Sequence, residues 1–239
     1  MENQKDNVIP TSKWSFSDDV TKCFGDMLSR SIPSYDTMRS LTYMLGFSFV
    51  TQGKDIIDIG CSTGLGVDAF IKHFGCCNRY ILIDESESMS NSCKEKYKSW
   101  IESGIVRVDH SNICQDGIPH SKACLILSIL TLQFTPIEYR QHLLKQIYER
   151  LDAGGAFIFV EKILGSSAET NALLVDNYYA IKEKNGYTKE MIDAKRKSLE
   201  RVLVPVTYEA NESFLKNAGF SRVECFWRCL NFCGWIAVK

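Results

Sequence analysis

Residues 55–66 read DIIDIGCSTGLG. Ile56, Ile57 and Ile59 are β-branched, and a short apolar run bounded by turn residues is the pattern of a strand buried on both faces. Gly60 and Gly64 follow at once. Glycine reaches backbone conformations closed to other residues and carries no Cβ, so the chain can turn sharply there and let another molecule approach the backbone. The stretch therefore predicts a strand, a glycine turn and a helix over 63–74.

Downstream the alternation continues. Residues 79–84 and 105–108 predict strands, and 86–102 a helix with Ser86 as its N-cap. A strongly apolar strand is expected at 123–130 and an amphipathic helix at 136–151, stopped by Asp152-Ala153-Gly154-Gly155. A fifth strand follows at 156–161. Strands alternating with helices imply parallel strands joined by crossover helices. Two polar helices are expected within 167–202, divided around Asn185-Gly186-Tyr187, and then a helix at 208–218 closed by Gly219. Strands at 222–228 and 232–238 have only a short turn between them, so they must be antiparallel. Upstream, 17–50 predict two helices broken at Ile32-Pro33-Ser34, because proline cannot continue a helix. The sum is an α/β fold: a Rossmann-like, mostly parallel seven-stranded sheet with an antiparallel last strand. It forms a single domain over 1–239, with a helical cap at 1–50 and a helical insertion at 163–205. Both additions fall near the strand C-termini, where such sheets bind ligands.

Composition narrows the function. The 239 residues hold 28 Lys+Arg against 29 Asp+Glu, a net charge of −1, which excludes the basic footprint of a nucleic-acid clamp. No apolar run reaches the roughly 18 residues of a membrane span, and the first residues lack the basic-then-apolar order of a secretory signal. The ten cysteines are then read as free cytoplasmic thiols. Cys225, Cys229 and Cys233 lie four apart, but their surroundings read as strand, and ligands four apart converge only on a helix. No metal site is expected.

The glycine turn has a partner. Asp84-Glu85 ends the second strand, 20 residues beyond Gly64, where a carboxylate can hold both hydroxyls of a ribose. Dinucleotide binders place a middle glycine where this chain has Ser62, so that a pyrophosphate can rest on the helix N-terminus. Its absence favours a nucleoside without phosphate, S-adenosylmethionine, whose amino-acid part packs against the turn. The bland alternative is a capped turn beside a solvated acidic pair.

With these residues in view the sequence resembles the class I S-adenosylmethionine-dependent methyltransferases. Within them it resembles the carboxy-S-adenosylmethionine synthase family. The resemblance spans nearly the whole chain. It runs through Trp14-Ser15-Phe16, Arg30–Tyr35, Asp58–Ser62, Thr131-Leu132-Gln133-Phe134, Gly154-Gly155, Glu161-Lys162, Asn185-Gly186-Tyr187, Lys195-Arg196, Ala218-Gly219-Phe220 and the ending from Asn231 to Lys239.

The resemblance implies binding of S-adenosylmethionine (or its carboxylated form) and of prephenate, with release of phenylpyruvate, in tRNA wobble-uridine modification. Prephenate would lose CO2 and hydroxide; the base would deprotonate the sulfonium methyl, and the resulting carbanion would capture CO2. Such chemistry needs close positioning and excluded water more than protein acids and bases. By position, Tyr35, Gly60, Cys61, Ser62, Asp84, Glu85, Asn112, Ile113 and Ile129 would touch the nucleoside. Arg196 would clamp the new carboxylate, reaching the site from a neighbouring subunit of a homodimer; on its own helix it also reads as a surface arginine between Asp193 and Glu200. Cys61 would be a spacer in the turn. Three positions depart from the family pattern. Glu85 replaces Asn, Asn112 replaces an Asp that accepts from adenine and would do so through its own carbonyl, and Ile129 replaces Asn, with Ser128 as a polar substitute. No catalytic residue is assigned. Glu161 is the nearest candidate base, against an ion pair with Lys162 or with a neighbouring loop. The competing readings are a small-molecule methyltransferase and a tRNA-associated binding module; the charge balance and lack of a basic cluster outside 195–201 weigh against the latter.

Overall fold

The computed structural model describes residues 4–239, so the first three residues of the expected N-terminal cap lie outside the described residues. Two helices open the fold, α1 (Asp18–Ser31) and α2 (Tyr35–Phe47). Then come β1 (Asp55–Ile59), α3 (Asp68–Phe74), β2 (Arg79–Asp84), α4 (Glu87–Lys96), α5 (Lys98–Glu102), β3 (Val106–His110), α6 (Ile113–Asp116), β4 (Ala123–Ile129), α7 (Ile137–Arg150) and β5 (Leu151–Leu164). The chain ends with α8 (Ala168–Lys184), α9 (Lys189–Ser198), β6 (Val206–Thr207), α10 (Tyr208–Ala218), β7 (Arg222–Cys229) and β8 (Phe232–Val238).

The main sheet runs β3-β2-β1-β4-β5-β8-β7, with β6 paired beside the end of β5. β1 to β5 are mutually parallel; β8 is antiparallel to both β5 and β7. The seven-stranded path with a reversed last strand is the one the alternation predicts. Every residue of β1 is buried, as a central parallel strand requires. Ile57 and Ile59 face one apolar layer with Leu143, Ile147 and Phe157. Ile56 faces the other, with Phe70, Tyr80 and Leu125.

Several boundaries differ from expectation. α3 begins at Asp68 because residues 61–67 stay in turns, with Ser62 at φ 48° and Gly64 at φ 76°. The helix expected over 86–102 breaks at Tyr97, whose hydroxyl is drawn to the Gly64 carbonyl and the Asp68 carboxylate, at 2.7 and 2.8 Å. Its start is as read: the Ser86 side chain accepts from the Met89 amide. Gly154-Gly155 do not precede β5 but lie within it. Gly155 sits so close to β4 that a Cβ would lie 2.9 Å from the Cys124 carbonyl. Gly219 does close α10, at φ 116°.

The first 50 residues are not all helix. Residues 4–17 form a strap over α1 and α9: the Trp14 amide donates to the Ser198 carbonyl, and the Asp6 amide to Asp26. Asp6 itself is buried, accepts the Tyr187 hydroxyl at 2.6 Å and pairs with Lys195. No helix among the described residues is long and apolar enough to cross a membrane.

Candidate functional site

At the C-terminal end of β1 the Gly60 and Cys61 amides both donate to the Ile83 carbonyl of β2, at 2.8 and 2.9 Å. The turn they fix is tight. A Cβ on Gly60 would fall on the Thr131 side chain, and one on Gly66 on the Asp58 carboxylate. Asp84 at the end of β2 secures the turn from the other side. Its carboxylate accepts the Ser62 amide at 2.8 Å and the Ser86 amide at 2.9 Å. Burial raises its pKa against the pull of those two amides.

The turn opens into a cavity of about 600 Å³, the size of a small-molecule site. All ten residues singled out from the sequence line it. Tyr35 comes from the first turn of α2. Gly60, Cys61 and Ser62 form the turn, Asp84 and Glu85 follow β2, Asn112 and Ile113 follow β3, Ile129 ends β4, and Arg196 comes from α9. Ser62 and Leu130, both cavity residues, hold left-handed backbone at φ 48° and 61°. Strain of this kind collects where ligands are held.

Asp58 is 2% exposed and its Oδ2 has no hydrogen-bond partner. Burial pushes its pKa up to about 7, with Arg39 opposing and Asp84 adding to the rise. Cys61 is buried, and its contact with Cys93 together with burial keeps its thiol protonated. That fits a spacer better than a nucleophile.

The departures at 85 and 112 meet in space. The Asn112 side-chain amide donates to Glu85 Oε2 at 2.9 Å, and its carbonyl accepts the Cys114 amide as the N-cap of α6. The carbonyl expected to accept from a base thus already holds the helix cap, which takes one of its two lone pairs. Ser128 does not substitute for Ile129. Its side chain is fully buried and without a partner, because successive strand residues point to opposite faces.

The same alternation settles Glu161. It is buried outside the cavity lining, while Lys162 lines the cavity. Burial pushes the Glu161 pKa up to about 8, opposed by Arg140 and by backbone amides at Gln133, Leu132 and Thr131. Glu161 does not line the cleft as a base would, it makes no ion pair with Lys162 among the described residues, and the loop at Thr131–Gln133 offers it amides and no charge. Gln133 in that loop accepts the Lys162 amide at 2.8 Å.

The wall formed by β5, α8 and α9 is basic. Lys162, Lys182, Lys195 and Arg196 all line the cavity. Arg196 projects into the cavity of its own chain with a side chain 42% exposed, held by Asp193 at 3.5 Å and Glu200 at 3.2 Å. Burial pushes the Lys162 and Lys195 pKa values down to about 8. That of Lys182 falls to about 7, from burial and from the neighbouring Lys195 and Lys162.

Known proteins can now be set beside this geometry. A family model described as a methyltransferase domain matches residues 56–155, the β1-to-β5 segment that carries the glycine turn. Carboxy-S-adenosyl-L-methionine synthase of Pseudoalteromonas atlantica is 33% identical, over 100% of both chains. The chain belongs to the carboxy-S-adenosyl-L-methionine synthase family. The synthase of Methylococcus capsulatus is 36% identical over 95% of this chain and 93% of its own, and that of Escherichia coli 34% over 95% and 91%. Among solved structures, one described as an O-methyltransferase from Nostoc punctiforme superposes with a TM-score of 0.64 at 16% identity. It covers 93% of this chain, which spans 59% of that longer one. Human N-acetylserotonin methyltransferase gives 0.60 at 15%, over 93% and 55%. Those two likenesses show the fold: a class I methyltransferase fold carries this member of the synthase family.

Sequence reasoning passed over Arg39, Lys182 and the full basic wall. Arg39 lies one helical turn after Tyr35, on the same face of α2, and donates to the Leu65 carbonyl. That spacing was a usable signal. For Lys182 there was none, since nothing in α8 marks which of its lysines turns inward.

Proposed function

We propose that this protein is a carboxy-S-adenosyl-L-methionine synthase that converts S-adenosylmethionine and prephenate to carboxy-S-adenosylmethionine and phenylpyruvate. The observation that carries the reading is the presence of Arg196 in the cavity that also holds the glycine turn. A guanidinium there can pair bidentately with a carboxylate formed on the sulfonium carbon.

The residues present suit S-adenosylmethionine. The unpartnered Asp58 Oδ2 offers an acceptor for an ammonium, and the Cβ-free turn at Gly60 leaves room for an amino-acid part. Glu85 and Asn112 together offer polar groups to the ribose and base side, and Tyr35, Ile113 and Ile129 supply apolar walls. Bound S-adenosylmethionine would supply an acidic sulfonium methyl, and prephenate the CO2 that replaces one of its protons. The chain's part is to hold the two together and keep water out, with the strap residues Trp14 and Phe16 covering the cavity.

In the same reading residues 1–239 act as one domain, the product serves tRNA wobble-uridine modification in the cytoplasm, and the protein is a homodimer. Mass spectrometry of ligand released from the purified protein is the test. A species heavier than S-adenosylmethionine by the mass of CO2, formed only with prephenate, supports the synthase. Only S-adenosylmethionine or its homocysteine product, with no turnover of prephenate, sinks it.

A second reading, a methyltransferase acting on a small molecule, is favoured by the apolar Ile129 at the cavity wall. Methyl transfer to an acceptor that is unaffected by Arg196→Ala would establish it.

A further inference from the structure

Five cationic side chains line the cavity, and three have evident partners. Arg39 donates to the Leu65 carbonyl, Lys195 pairs with Asp6, and Arg196 with Asp193 and Glu200. Lys162 and Lys182 have none: among the described residues neither ammonium lies within 4.0 Å of a carboxylate or donates a hydrogen bond. Lys182 is only 4% exposed. Both stand over one ring, that of Tyr178, with their nitrogens 4.8 and 5.6 Å from its centroid. Lys182 also lies 5.0 Å from the Tyr187 ring.

Two ammonium groups taken out of water and facing one cavity repel each other, and ring faces compensate only part of that loss. An anion entering between them would reverse the balance. The lysines also stand apart from the nucleoside side. Lys162 is on β5, two strands from β1 in the sheet order, or about 10 Å at the usual strand spacing.

We infer that Lys162 and Lys182, seated on Tyr178, form a subsite for a carboxylate of the second substrate. The inference rests on the synthase reading and goes further, since it says which carboxylate. A group that must leave as CO2 gives up its charge, and two cations against it would stabilise the ground state it has to abandon. The clamp therefore suits the carboxylate that the substrate retains, the one beside the 2-oxo group in phenylpyruvate. Tyr178 and Phe232, both cavity residues, offer apolar contact to the attached ring.

The test compares wild type with Lys162→Met and Lys182→Met, which keep an apolar stem and remove the charge. Calorimetry of the full-length protein, loaded with S-adenosylmethionine, would measure phenylpyruvate binding. Both variants should bind phenylpyruvate at least about tenfold more weakly, the loss expected for a charge-assisted hydrogen bond, and bind S-adenosylmethionine as wild type does. Unchanged S-adenosylmethionine affinity also certifies the fold of each variant. The methyl ester of phenylpyruvate should bind wild type no better than it binds the variants. Equal phenylpyruvate affinity in all three proteins, or no binding to wild type, overturns the subsite. Lysine-dependent phenylpyruvate binding without any carboxylated product from prephenate leaves the subsite standing and removes the synthase reading.

Discussion

The side-chain amide of Asn112 donates to Glu85 Oε2 across the mouth of the cavity, at 2.9 Å. The family resemblance implies Asn after the β2 aspartate and Asp after β3, where this chain has Glu85 and Asn112. Asn112→Asp alone should set two carboxylates against each other and weaken S-adenosylmethionine binding about tenfold, and adding Glu85→Asn should restore it. A double-mutant cycle should give a coupling of about 1.4 kcal/mol or more, the tenfold loss converted, within the range for touching residues. Additive losses would mean the two positions act separately.

Arg196→Ala should spare S-adenosylmethionine binding and lower affinity for the carboxylated product about ten- to hundredfold, the range of hydrogen bonds to charged groups. Titration of the variant with each nucleoside separates the two. Arg196→Lys should recover only part, because an ammonium cannot form the bidentate pair.

Asp58 and Glu161 make the stability of the ligand-free protein fall as pH rises toward neutrality. Burial raises their pKa values to about 7 and about 8. Both lie above the unfolded values, so the folded state holds protons that the unfolded state has released. The stability this gives is fully present below about pH 4, the unfolded carboxylate range, and is lost as pH rises through the folded pKa values. Thermal melts should show a midpoint falling from pH 5 to about 7, above which Lys162, Lys182 and Lys195, whose values are lowered, act in the opposite sense. Asp58→Asn should flatten the fall, and its failure to do so would show that Asp58 does not titrate in this range.

Glu161→Gln should leave turnover within about twofold, since the carboxyl is protonated at neutral pH and lies outside the cavity lining. A loss of a hundredfold or more would return it to the role of base.

Gly60→Ala should cost about 1–3 kcal/mol from its φ of 71°, with further cost from the Thr131 side chain that fills the space of a Cβ. Urea unfolding would measure it.

The sheet was legible because buried parallel strands announce themselves. Five apolar runs alternate with helices, and one tight turn dictates the reversed end. The ten cavity residues were legible through spacing and resemblance. What escaped notice depended on facing. Nothing local says that Glu161 turns into the protein while Lys162 turns into the cavity, or that Asn112 spends its carbonyl on a helix cap. Residues 63–67 read as helix but remain turns, because Ser62 and Gly64 take left-handed backbone. The strap over 4–17 carries no periodicity, since tertiary contacts alone fix its path.

That strap has a consequence for how the protein matures. Asp6 meets Tyr187 across 181 residues of chain, and Trp14 meets Ser198. A nascent chain can complete the β1–β4 half of the sheet while the wall bearing Lys182 and Arg196 is still unmade. The cavity thus becomes binding-competent only after the two distant segments join, a slow, non-local closure. A nucleoside that binds the finished cavity would therefore act late, as a latch on an assembled fold, and would do little to speed its formation.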